Sequence, residues 1–121
     1  MESRAYMRKP GSGDLKSVAS IVRVRSLPLG DADTGGEDVV LARVRVKIEP
    51  VGWGTYTAGV QTGEVVTHRA FIRYRAGISQ NDELREHGGP TYRVRRSQPL
   101  GGGREWLVLE LEELRDGEGA Y

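Results

Sequence analysis

The sequence predicts an all-β fold, a small antiparallel β-barrel or sandwich of about six strands with long loops and a flexible N-terminal arm. Three observations predict it. Val40, Ala42, Val44, Val46 and Ile48 alternate with Arg43, Arg45, Lys47 and Glu49, the period of a strand with one buried and one wet face. Short apolar stretches are separated throughout by glycine-rich turns, with 17 glycines in 121 residues. No segment carries a convincing helical stripe. Glu110 to Leu114 has helical propensity, but its alternating leucines favour a strand.

Residues 1–17 show no periodicity and contain Pro10-Gly11-Ser12-Gly13, which reads as a flexible arm. The single β domain spans 18–114. Its first strand is expected at Ala19 to Arg25, with Val18, Val22 and Val24 on one face. Leu27 to Gly36 is dense in turn formers and reads as a loop. Val39 to Glu49 is the clearest strand, ended by Pro50. Val51 to Gly63 then reads as a long loop with four glycines, Trp53 and Tyr56.

A third strand, about Glu64 to Arg75, places Val66, His68, Ala70, Ile72 and Tyr74 on one side. Strands at Asp82 to Glu86 and Thr91 to Ser97 flank the Gly88-Gly89 turn. After Gly101-Gly102-Gly103, the last strand runs from Glu105 to Leu114 with Leu107, Leu109 and Leu111 inward. Residues 115–121 read as a frayed tail.

Composition narrows the function. Apolar residues make up 37% and the mean hydropathy is −0.50, a thin margin for a core and a fit to a subunit ordered by partners. Without cysteine there is no disulfide or thiolate site. No apolar run approaches a membrane span, and the N-terminus lacks a signal-peptide core, so the cytosol is the expected place of synthesis and assembly. The net charge is +1, unlike a protein living on phosphates. Its distribution is uneven. Glu64 to Leu100 holds seven arginines against four acids, and Gly101 onward holds two against six, which suits stacked rings or merely scattered surface charge.

Catalysis finds little support. His68 and His87 have no partners at metal-ligand spacing, and Ser12, Ser17 and Ser20 have no evident base. Neither glycine run has the Gly-Lys-Ser/Thr ending of a phosphate loop. No catalytic residue, cofactor or metal is expected. Phe71 between Arg69 and Arg73, and Tyr92 beside Arg93, have the surroundings of a single-stranded nucleic-acid platform. The near-zero charge and 7% aromatic content weigh against it. With Ala70 and Ile72 inward, Phe71 points outward, to a protein contact or beneath a loop of its own subunit. The contact is the expectation.

Several pieces in order resemble the head-tail joining (head-closure or stopper) proteins of tailed bacteriophages. They are Gly13-Asp14-Leu15, Asp33-Thr34-Gly35-Gly36, Val46 to Pro50, Tyr92-Arg93-Val94 and Leu107-Val108-Leu109. The most specific block is Thr67-His68-Arg69 through Ile72-Arg73-Tyr74-Arg75 and Gly77-Ile78. The chain departs from the family at Arg45, where a tryptophan is common, at Phe71, usually polar, and at Gly52-Trp53-Gly54-Thr55.

The resemblance implies a non-catalytic neck component in the virion, assembled in the bacterial host cytoplasm. It implies a ring of identical subunits docking under portal or adaptor proteins and above tail or tail-terminator proteins. Loops then close the channel on packaged DNA. On that reading Val51, Gly52, Trp53, Gly54, Thr55, Tyr56, Thr57, Gly59, Val60 and Gln61 form the plug loop. Arg43, Arg45, Arg69, Phe71 and Arg73 meet neighbours, with Glu110, Glu112 and Glu113 as the acidic counterpart. A tail-completion protein of the same connector and a nucleic-acid-binding module remain the alternatives.

Overall fold

The computed structural model describes residues 9–26 and 36–115. Six antiparallel strands close a barrel in the order β1-β2-β3-β6-β5-β4. The strands are β1 (Ser17–Ser26), β2 (Gly36–Pro50), β3 (His68–Arg73), β4 (Glu83–Glu86), β5 (Thr91–Pro99) and β6 (Trp106–Leu114). Closure removes free sheet edges where the strands overlap. Short 3₁₀ turns sit at Ser12–Asp14 and Leu100–Gly102. The expected loop at 27–36 lies, up to residue 35, outside the described residues, as do residues 1–8 of the expected arm and 116–121 of the expected tail.

Alternation fills the barrel as the leucines predict. Leu107, Leu109 and Leu111 of β6 join Ala70 and Ile72 of β3, Val46 of β2, and Ile21, Leu84, Tyr92 and Val94 in one buried cluster. Each large side chain fully buried there contributes about 1.5–3 kcal/mol of transfer free energy. Tyr74 packs against the same cluster, so the expected inward face of β3 is observed.

Two strands depart from simple alternation. Ile21 pairs with Ala42 but Val22 pairs with Val40, leaving Leu41 as an extra residue. This bulge reverses the faces of β2. Val40, expected in the core, is 62% exposed, and Leu41 packs on the core instead. In β1 Ala19, Ile21 and also Val22 are buried, whereas Val24 is exposed. A second bulge leaves Arg95 unmatched between Val94 and Arg96 of β5.

The expected loop at 51–63 is corrected to a helix, α1 (Trp53–Thr62). Gly52 enters it in extended backbone, and the Tyr56 N–H donates to the Gly52 carbonyl at 3.1 Å. Gly63 ends it in the left-handed region (φ 82°), which favours glycine. There the Glu64 N–H donates to the Gly59 carbonyl at 2.9 Å. The chain returns so tightly that a Cβ on Gly59 would stand 2.4 Å from the Glu64 carbonyl oxygen.

The segment between β3 and β4 is pinned by one ion pair. The Arg23 guanidinium donates to both carboxylate oxygens of buried Asp82 at 2.9 Å, and also to the Gly77 carbonyl. Burial pushes the Asp82 carboxyl up. The hydrogen bonds from Arg23 and the Ser79 amide, with the Arg23 charge, outweigh that and hold it below its ordinary value.

Candidate functional site

The first candidate surface is α1. It carries no buried residue, although it sits between two barrel strands. Trp53 is 79% exposed and Val60 49%. The Trp53 and Tyr56 rings lie 5.8 Å apart. Thr57 and Thr62 turn their hydroxyls back onto the helix, donating to the Trp53 and Ala58 carbonyls. With two internal glycines and few strong helix formers, this sequence has low intrinsic helicity. The helix is therefore a weakly anchored element that offers apolar side chains to solvent.

The second surface is a cleft of about 370 Å³ lined by Ser12, Leu15, Arg43, Val44, Arg45, Arg73, Tyr74 and Arg75. Arg43 and Arg45 lie two residues apart on the outer face of β2 and are exposed. Arg73, at the end of β3, stacks its guanidinium 4.2 Å from the centre of the Trp106 ring and donates to the Ser12 hydroxyl. The segment 9–16 lies against this side. Its Lys9 pairs with Glu105 at 2.7 Å, and Pro10 and Leu15 are buried.

Phe71 requires a correction. It does lie on the outer face of β3, but it is only 1% exposed. Its cross-strand neighbours are Val108 on β6 and Lys47 on β2, whose ammonium stands 5.6 Å from the ring centre. Phe71, Val108 and Trp106 make a second apolar layer outside the barrel. It is not available as a contact on the free subunit. The sequence carried a signal for this layer. Ala70-Phe71-Ile72 and Trp106-Leu107-Val108-Leu109 are continuous apolar runs, the mark of strands covered on both faces.

The nucleic-acid platform loses its rings by the same measure. Phe71 and Tyr92 are both buried. Burial pushes the Tyr92 hydroxyl up to about 12, with the charges of Glu86 and Glu113 adding, so it stays protonated at neutral pH.

The acidic strip on β6 is largely neutralised within its own chain. Arg96 holds Glu110 by two parallel hydrogen bonds, 3.1 and 3.0 Å, and Arg95 holds Glu112. The Glu113 carboxylate lies 3.8 Å from His68. Sequence reasoning missed the partners Arg95 and Arg96, because the β5 bulge that sets their register is not visible in the residue pattern. Arg69 is half-buried, and its Nε has no hydrogen-bond partner among the described residues.

Among the described residues no group of three or more His, Cys, Asp or Glu is placed to hold a metal ion. No helix among them is long and apolar enough to cross a membrane. The cleft gathers four arginines with the apolar groups of Leu15, Val44 and Tyr74.

Compared with known proteins, residues 13–114 match the model of a family described as phage head completion protein. No curated protein matches the chain.

Proposed function

The chain belongs to the phage head completion proteins, and from that premise we propose that it is a structural neck component of a tailed phage or prophage. In this reading it joins the DNA-filled head to the tail and closes the portal channel against DNA leakage. Identical subunits form a ring, with portal or adaptor proteins above and tail or tail-terminator proteins below. Packaged DNA meets the ring without sequence recognition.

The observation that carries the reading is α1. A helix with no fully buried residue that exposes Trp53 and Val60, yet leaves and rejoins the barrel at adjacent rungs, is suited to being covered in an assembly. In the ring α1 takes the place of the plug loop, pointing Trp53 and Val60 toward the channel. Contacts too weak to hold singly multiply around a ring, so closure is firm although each subunit contributes little. Low intrinsic helicity lets the element change shape when the channel opens. Arg43, Arg45, Arg69 and Arg73 face neighbouring virion proteins.

The test deletes Trp53 through Gly59 and follows particle assembly. Heads carrying the shortened protein should assemble their necks but lose packaged DNA, measured as the ratio of empty to full particles. Heads that stay full would remove α1 from the closure. Heads that never recruit the shortened protein would assign α1 to docking instead.

A further inference from the structure

β2 is longer than the barrel requires. It pairs with β1 along Gly36–Val46, but with β3 only from Lys47 to Pro50. Among the described residues, the opposite edge of Gly36–Val46 carries no ladder. The register gives the reason. Lys47 faces Phe71, so continued antiparallel pairing would set Arg45 opposite Arg73 and Arg43 opposite Arg75. Like charges directly across a ladder destabilise it. The chain after β3 keeps instead to the β6 side, where the Tyr74 N–H donates to the Glu105 carbonyl at 3.1 Å.

The arginine cleft is the space left between the parted strands. Arg43, Arg45, Arg73 and Arg75 line it, and no acid does. Leu15, Val44 and Tyr74 supply apolar surface, the last two packed against the core. Arg43, Arg45 and Arg75 have no ion pair with any described residue. The site thus combines a backbone edge unpaired among the described residues, an apolar lining and clustered positive charge.

We propose that this seam docks one extended acidic segment of a partner virion protein, added as a strand to the free edge of β2. Alternate side chains of an added strand share one face at a spacing of roughly 7 Å, which is also the spacing of Arg43 and Arg45 along β2. Carboxylates at that interval sit between the two arginine pairs and relieve the repulsion that parted the strands. A phosphodiester chain would use the arginines but neither the backbone edge nor the apolar side chains. The inference deepens the partner surface read above and rests on it.

The experiment uses the full chain and a fluorescent peptide alternating glutamate with valine. A glutamine–valine peptide and a single-stranded oligonucleotide are the competitors. The glutamate peptide should bind, lose affinity with added salt, and slow amide exchange within 36–46 while leaving β5 unchanged. R43E/R75E should weaken it on the order of tenfold, as two exposed ion pairs together would, without lowering the melting temperature. Equal binding of the glutamine peptide, displacement by the oligonucleotide, or binding without protection in 36–46 would each overturn the proposal. If no acidic peptide binds and R43E/R75E subunits still fail to join heads, the added strand is wrong and the arginine surface stands. If R43E/R75E subunits join heads normally, the surface reading falls with it.

Discussion

α1 and β3 are neighbours in the chain, separated by only residues 63–67, yet they are held in opposite ways. β3 is covered on both faces, by Ala70 and Ile72 within the barrel and by Phe71 beneath the outer layer. α1 has no fully buried residue, and only Tyr56, Thr57 and Gly59 are half-buried. What the difference teaches is a division of work. Residues of β3 contribute to the stability of the subunit, whereas the exposed Trp53 and Val60 of α1 contribute little to it.

The largest test of that division is Phe71→Ala. Removing the ring should destabilise the isolated subunit by about 3–5 kcal/mol in a denaturant titration. An unchanged unfolding midpoint would mean that the outer layer does not hold β3, and the comparison would break.

Next comes the pin beside β3. Asp82→Ala leaves the Arg23 donors without their carboxylate and should cost about 1–3 kcal/mol, less than a fully buried pair because Arg23 is partly solvated. The pH dependence follows from the lowered carboxyl. A group easier to ionise when folded stabilises the fold above the ordinary aspartate range, near pH 4, and that contribution is lost as pH falls below it. The acid limb of a stability–pH curve should therefore flatten in the variant. An identical limb would show that the pair does not control it.

Smaller still is Gly59→Ala, because the added Cβ meets a backbone carbonyl and must open the end of α1. A local cost of about 1 kcal/mol is expected, read as faster exchange of the Glu64 amide with the global melt nearly unchanged. A large drop in the global melt would instead tie α1 to the barrel.

The smallest effect sharpens the contrast most. Trp53→Ala should shift subunit stability by no more than about 0.5 kcal/mol while raising the fraction of empty particles. Stability lost in full with DNA retention unchanged would reverse the assignment.

Much of the barrel is legible in the residue pattern. The six strands, the inward leucines of β6 and the inward face of β3 follow from a period of two. What escaped has physical causes. A bulge adds one residue and exchanges the faces beyond it, so Val40 and Leu41 traded places without any mark in composition. α1 has no apolar stripe and few strong helix formers, and tight turns at Gly52 and Gly63 bound it where propensity alone would not. Phe71 lies on the face its strand pattern predicts, but one strand alone does not show that this face is covered. Its neighbours come from β6 and β2, Val108 and Lys47, strands whose adjacency depends on the barrel order. The arginine cleft escaped for the same reason, because β2 and β3 must be set in register before Arg43 and Arg75 become neighbours.

The way α1 leaves and rejoins the barrel has one more consequence. Pro50 and His68 are cross-strand partners, and the Val51 N–H donates to the Thr67 carbonyl at 3.0 Å. The excursion between them begins and ends at a single clasped doorway. Its length can change by whole turns at a closure entropy that rises only logarithmically. The stretch behaves as an interchangeable cartridge, free to be refitted for a wider or narrower bore while the housing around it stays as it is.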